Sequence, residues 1–177
     1  MAIALGLCSL AASADTGVND LSKSQAFTVN ASVVKGCLLG NGASDATTFG
    51  NLNFGQVATL SGNLSIVSSV NAGSVVMKCN PGLSVTLTLG IGNHVSGSVT
   101  GGRKLQKDAG TETLVYQLYQ DSNYSIIWGD DSNGGAAQRI TASGSSQEIK
   151  IYARLFAASI LPSSGIYRDT VLLTVTY

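Results

Sequence analysis

The chain has 177 residues, enough for one domain and short of two. Ten Lys and Arg balance ten Asp and Glu, and only 11% of residues are charged, so a basic nucleic-acid-binding surface is excluded. The chain is 44% hydrophobic with mean hydropathy +0.25, which excludes an unfolded polymer, and its 21 Gly, two Pro and single His suit strands joined by tight turns rather than acid–base or metal chemistry.

Ala2 to Ala12 is an apolar run followed by Ala12-Ser13-Ala14, the small-x-small pattern of a signal-peptidase site. It is too short for the roughly 20 residues of a membrane-spanning helix. Residues 1–14 are therefore expected to be a signal peptide, N-terminally truncated because no Lys or Arg precedes the apolar run, and the mature protein is expected to be exported with no stable membrane insertion. Cys8 would leave with that segment. Cys37 and Cys79 then form an even pair in an oxidising compartment, and a disulfide between them is expected to stabilise the fold by about 4 kcal/mol. No CxxC or HxxxH spacing suggests a metal site.

Asp15 to Gln25 is polar and patternless. Phe27, Val29, Ala31 and Val33 then alternate with Thr28, Asn30 and Ser32, a strand with one apolar face. The alternation alone leaves open whether this strand completes its own sheet or joins another. Thr48 to Gly55 is turn-rich, with two Phe-Gly pairs. Ser74–Cys79 and Leu83–Leu89 flank Asn80-Pro81-Gly82 and read as a hairpin.

Thr113–Gln120 places Leu114, Tyr116 and Leu118 on one face, and Tyr124–Trp128 reads as a short strand closed by an exposed turn, Gly129–Gly135. Trp128 with Tyr124, Asp130 and Asp131 could be a sugar or calcium site, but the calcium-loop spacing is absent and the turn is the expected reading. Gly101-Gly102-Arg103-Lys104 reads as a turn with two cations. Gln147–Phe156 alternates Ile149, Ile151, Ala153 and Leu155. The last stretch, Tyr167–Tyr177, puts Val171, Leu173, Val175 and Tyr177 on one face. Six or seven such segments describe an all-β sandwich without catalytic equipment. Gly90-Ile91-Gly92-Asn93-His94-Val95 lacks the third Gly and the helix of a dinucleotide loop, and His94 is expected in a polar loop.

Several stretches together resemble the spore coat U (SCPU) family and, within it, the Csu-type pilins of archaic chaperone–usher pili. They are Lys35-Gly36-Cys37, Phe49-Gly50-Asn51-Leu52-Asn53-Phe54-Gly55, Leu114 to Asp121, Trp128-Gly129-Asp130, and the C-terminal run from Pro162 to Tyr177. The resemblance implies an immunoglobulin-like β-sandwich that is incomplete and is completed by a donor strand from another subunit or a chaperone. It divides the chain into a leader and donor strand, 15–36, and a pilin domain, 37–177. Phe27, Val29, Ala31 and Val33 would be the donor side chains, and Val171, Leu173, Val175 and Tyr177 the acceptor-edge strand.

The implied function is that of a shaft or adaptor subunit of a cell-surface fimbria, polymerising by donor-strand exchange and contributing to surface attachment and biofilm formation. It implies no enzyme activity and no cofactor. The implied partners are other pilin subunits, a periplasmic chaperone and an outer-membrane usher. A secreted, self-complemented coat protein or adhesin module is the alternative.

Overall fold

The computed structural model describes residues 24–40, 45 and 49–177. The expected signal peptide, Cys8 and the leader up to residue 23 lie outside the described residues. The chain divides into an N-terminal segment ending at Val33 and a body, Val34–Tyr177. In the N-terminal segment, residues 24–33 belong to no strand and are solvent-exposed. The strand expected over Phe27–Val33 is thus absent in the isolated chain. A period-2 pattern makes a segment fit for a ladder, but a strand exists only where a second backbone supplies the other half of that ladder.

The body contains eleven strands and no helix among the described residues. In order they are β1 (Cys37–Leu39), β2 (Leu64–Val67), β3 (Val75–Cys79), β4 (Ser84–Leu89), β5 (Arg103–Lys107), β6 (Thr113–Tyr119), β7 (Gln138–Thr141), β8 (Gln147–Ile149), β9 (Tyr152–Leu155), β10 (Tyr167–Arg168) and β11 (Leu173–Thr176). All pairings are antiparallel, in three sheets ordered β1-β3-β8, β10-β5-β6-β9-β2 and β11-β4-β7.

The alternation in each strand aims one side chain in two at a common interior. From the five-stranded sheet come Tyr116, Leu118, Ala153 and Leu155. Val75, Met77 and Cys79 come from β3, and Val85, Leu87 and Leu89 from β4. Trp128 joins this cluster with no exposed surface. The fold is the all-β sandwich that the sequence predicts.

The expected hairpin between β3 and β4 does not form. The four residues Asn80–Leu83 carry the chain from one sheet to another. Both edges of β3 are taken by β1 and β8, and both edges of β4 by β11 and β7. The turn is closed by Leu83 N–H donating to Asn80 C=O at 3.3 Å, and Gly82 N–H donates to Ala142 C=O at 2.8 Å. Turn chemistry fixes where the chain reverses; competition among apolar faces decides which backbone it then meets.

Two further segments change sheets. β8 and β9 read as one alternating strand in the sequence, but the chain leaves the first sheet at Lys150-Ile151 and enters the five-stranded sheet at Tyr152. β10 and β11 are likewise separated by residues 169–172, which pass from the edge of the five-stranded sheet to the edge of the β11-β4-β7 sheet.

Tyr124–Trp128 forms isolated bridges, Tyr119 to Ile127 and Trp128 to Ala136, in place of the expected strand. The Asp121 carboxylate accepts backbone N–H groups from Asn123, Ser125 and Ile126, which curls the segment into a loop, and Tyr124 takes a left-handed φ of 57°. The Gly129–Gly135 turn is only partly exposed, since Asn133 is buried and donates through Nδ2 to Leu89 C=O at 2.9 Å.

Candidate functional site

The C-terminal strand is an edge. β11 pairs with β4 through Leu173–Leu89, Thr174–Thr88, Val175–Leu87 and Thr176–Thr86, and its other edge meets no strand among the described residues. Across this ladder the apolar cover thins. Leu87 and Leu89 of β4 are fully buried, whereas Leu173 and Val175 beside them are half-buried, as is Val171 just before the strand. Leu172 on the opposite face is 72% exposed. Tyr177 lies one residue beyond β11 and is 54% exposed. An unpaired strand edge beside a half-covered apolar row is the general kind of surface on which strand addition occurs.

The other residues singled out in the sequence lie in the N-terminal segment. Phe27, Val29 and Val33 are 86%, 80% and 85% exposed, and Ala31 is exposed with them. Three residues further on the chain is pinned. Gly36 N–H donates to Asn80 Oδ1 at 2.6 Å, Asn80 N–H donates to Gly36 C=O at 3.1 Å, and Cys37 is joined to Cys79 by a disulfide. The pairing expected from the cysteine count is present.

A buried polar network lies beneath the start of the edge strand, and sequence reading missed it. Arg103, expected in a turn with two cations, is the first residue of β5 and points inward with no exposed surface. Its pairing with Tyr116 places it on the core face, and its guanidinium is satisfied by neutral acceptors. Nε and Nη2 donate to Gly90 C=O at 3.1 and 2.8 Å, Nη2 also to Trp128 C=O at 2.8 Å, and Nη1 to Gln117 Oε1 at 2.6 Å. Burial lowers the Arg103 pKa, opposed by the neighbouring acidic groups Tyr116, Asp169 and Asp130.

Asp169 belongs to the same region. Its side chain is 1% exposed, and its carboxylate accepts the Tyr116 hydroxyl at 2.6 Å, Asn93 N–H at 2.8 Å and its own neighbour Thr170 N–H at 2.9 Å. Burial, then the hydrogen bond to Asp169, raise the Tyr116 pKa far above the ordinary phenol value, so the hydroxyl stays protonated and donates. His94 lies in the loop after β4, with Nε2 4.0 Å from Asp169 Oδ1. The missed signal was the period of two: Arg103 is two positions before Leu105, the one apolar residue of β5, whose side chain packs against the core.

No group of three or more His, Cys, Asp or Glu able to hold a metal ion occurs among the described residues. Asp130 and Asp131 are instead committed to their own turn. Asp130 accepts from Ser132 and Asn133, and Asp131 accepts from Arg139 and Ala137 N–H. With Trp128 buried, the sugar or calcium reading of this segment has no platform.

Comparison with known proteins agrees with the pattern read from the strands. The chain is 30% identical over 151 residues to Protein U of Myxococcus xanthus, covering 83% of this chain and 80% of that protein. Among solved structures it is similar to a chain of the CsuC–CsuE chaperone–tip adhesion subunit pre-assembly complex of archaic chaperone–usher Csu pili from Acinetobacter baumannii. That match has a TM-score of 0.49 at 17% identity, over 82% of this chain and 40% of the other. A chain of a chaperone–tip adhesin complex of CFA/I fimbriae biogenesis aligns with a TM-score of 0.44 at 18% identity, over 80% of this chain and 42% of that one. This chain thus spans less than half the length of either structural neighbour. The Spore Coat Protein U domain profile matches residues 23–174, and the chain belongs to that family.

Proposed function

We propose that this protein is a structural subunit of a chaperone–usher fimbria, a shaft or adaptor piece that polymerises by donor-strand complementation and has no catalytic role. The observation that carries the reading is the coexistence of an exposed strand-competent arm, residues 24–34, and an open apolar edge, β11, in one chain. In strand addition, backbone hydrogen bonds to the open edge supply affinity. Alternate side chains entering the groove supply specificity. Phe27, Val29, Ala31 and Val33 are the donor side chains; Val171, Leu173, Val175 and Tyr177 line the acceptor edge.

On this reading the partners are a periplasmic chaperone that covers β11 before assembly, an outer-membrane usher, and other pilin subunits. The route runs through export to the cell surface, where the fibre serves attachment and biofilm formation. The low charge of this chain suits stacking without like-charge repulsion.

Deleting residues 15–34 tests it. The shortened subunit should still bind its chaperone and should fail to enter another subunit's groove. Long ladders on unboiled detergent gels from that deletion would remove the donor assignment. A self-complemented coat protein is the second reading, suggested by the family's description. It predicts a well-folded monomer when the full chain is purified without a chaperone, where the fimbrial reading predicts ladders or aggregates.

A further inference from the structure

We infer that Asp169 is a positioning residue for the open edge: together with the Arg103–Gly90 contact it sets where β11 begins on β4. This goes beyond strand acceptance as such, and its role in registering an incoming strand rests on the proposed function.

The argument starts from the chain path. After β10 the backbone has only residues 169–172 in which to leave one sheet and enter another. Among the described residues β11 is held by a ladder on one side, the β4 side, so no described strand on its outer edge fixes its register. Both ends of the crossing are tied to buried polar groups. At the first, Asp169 gathers Tyr116 of β6, Asn93 of the loop after β4, and Thr170 of the crossing itself. At the second, Leu172 C=O accepts Gly90 N–H at 2.9 Å, and Gly90 C=O is the acceptor gripped by Arg103 Nε and Nη2.

The surroundings are shaped to the carboxylate. Gly92 has a φ of +86°, and a Cβ there would overlap Asp169 Oδ2. A buried carboxylate without a directly bonded cation is costly unless its lone pairs are filled, and here three donors fill them. Apolar residues could pack the same corner; a directional acceptor is what discriminates one register of the crossing from its neighbours. A slip of one residue would turn Leu173 and Val175 to solvent and Leu172 and Thr174 inward.

The test uses Asp169→Asn in the full chain, with Tyr116→Phe as the milder variant that removes one donor and keeps the ring. In hydrogen exchange, amides of Leu173–Thr176 and their β4 partners should exchange about tenfold faster or more in Asp169→Asn, and by a smaller factor in Tyr116→Phe, while amides of β6 and β9 keep their wild-type rates. Uniform acceleration across all strands, or none, overturns the proposal.

Register is read by disulfide trapping of a synthetic peptide of residues 24–34 carrying Val29→Cys against Val171→Cys, Leu173→Cys or Val175→Cys in the chain lacking residues 15–34. One position should dominate with Asp169 present, and two or three should be trapped in Asp169→Asn. A single unchanged position in the variant overturns the proposal. If the peptide is trapped nowhere with Asp169 present, donor binding fails, and exchange at β11 alone decides the role of Asp169.

Discussion

The arm around Phe27–Val33 and the edge strand around Val171–Val175 carry the same pattern, apolar at every second residue, and meet opposite fates. The arm lies exposed outside every sheet, while the edge strand is laid on β4 with its apolar row half-buried. The difference is in what surrounds the pattern. The C-terminal segment has a buried acid and the β4 ladder to hold it, and the arm is pinned only at its root, by Asn80 and the disulfide. Alternation specifies a capacity to pair. Which backbone satisfies it is decided by anchors outside the pattern.

The strongest perturbation of this contrast is at the arm's root. Replacing both Cys37 and Cys79 by Ser should lower unfolding free energy by about 4 kcal/mol in denaturant titrations, from the loop-entropy term for a 42-residue separation. A loss well under that would mean β1 is held by its pairing with β3 alone. Leu173→Ala comes next, at about 1–2 kcal/mol, discounted from the fully buried value because the site is half-covered. On the fimbrial reading it also shortens ladders, tying stability and assembly together at the edge.

Tyr116→Phe should cost about 1–2 kcal/mol by leaving Asp169 one donor short. Its pH signature follows from the raised pKa of the buried phenol. The native state keeps a proton that the unfolded chain releases near pH 10, so this contribution is complete below about pH 10 and is lost as pH rises beyond it. Thermal unfolding of Tyr116→Phe should therefore fall less steeply above that pH than the parent's.

Asp121 has the opposite sign. The Ile126 N–H, followed among the favourable contacts by Ser125, holds its carboxyl below the usual range, so its hold on the 122–126 loop is present above about pH 4 and is lost as pH drops through the depressed value. Asp121→Asn should speed amide exchange at Ser125 and Ile126 and leave β6 unaffected.

The smallest effect on stability belongs to the arm. Phe27→Ala should change unfolding free energy by no more than about 0.5 kcal/mol, as expected for an exposed side chain. On the fimbrial reading it nevertheless reduces polymer length, separating assembly from folding where Leu173→Ala joins them. A drop of several kcal/mol would show the arm to be part of its own domain.

Much of this was legible in the sequence. β4, β6, β9 and β11 stand where alternation places them, because each has one face in the common core and the period of two survives any choice of partner. The Cys37–Cys79 disulfide followed from the cysteine count and the export context. Pairing was not legible. Asn80-Pro81-Gly82 predicts a reversal and is silent on whether the strands it joins share a sheet. Nor was Arg103 legible, since a cation after two glycines reads as a turn unless its register with Tyr116 is known. Asp169 stood in plain view within the run from Pro162 to Tyr177, but its value depends on Tyr116 and Asn93, 53 and 76 residues away.

The disulfide has a mechanical consequence. If the arm of one subunit is pulled along a fibre axis, tension enters the body at Gly36-Cys37, where β1 offers only a three-residue ladder to β3. Such a short ladder loaded from its end peels one residue at a time. The Cys37–Cys79 bond passes that load covalently into β3, the central strand of its sheet, so the slack that force can draw from the N-terminal side ends at residue 37.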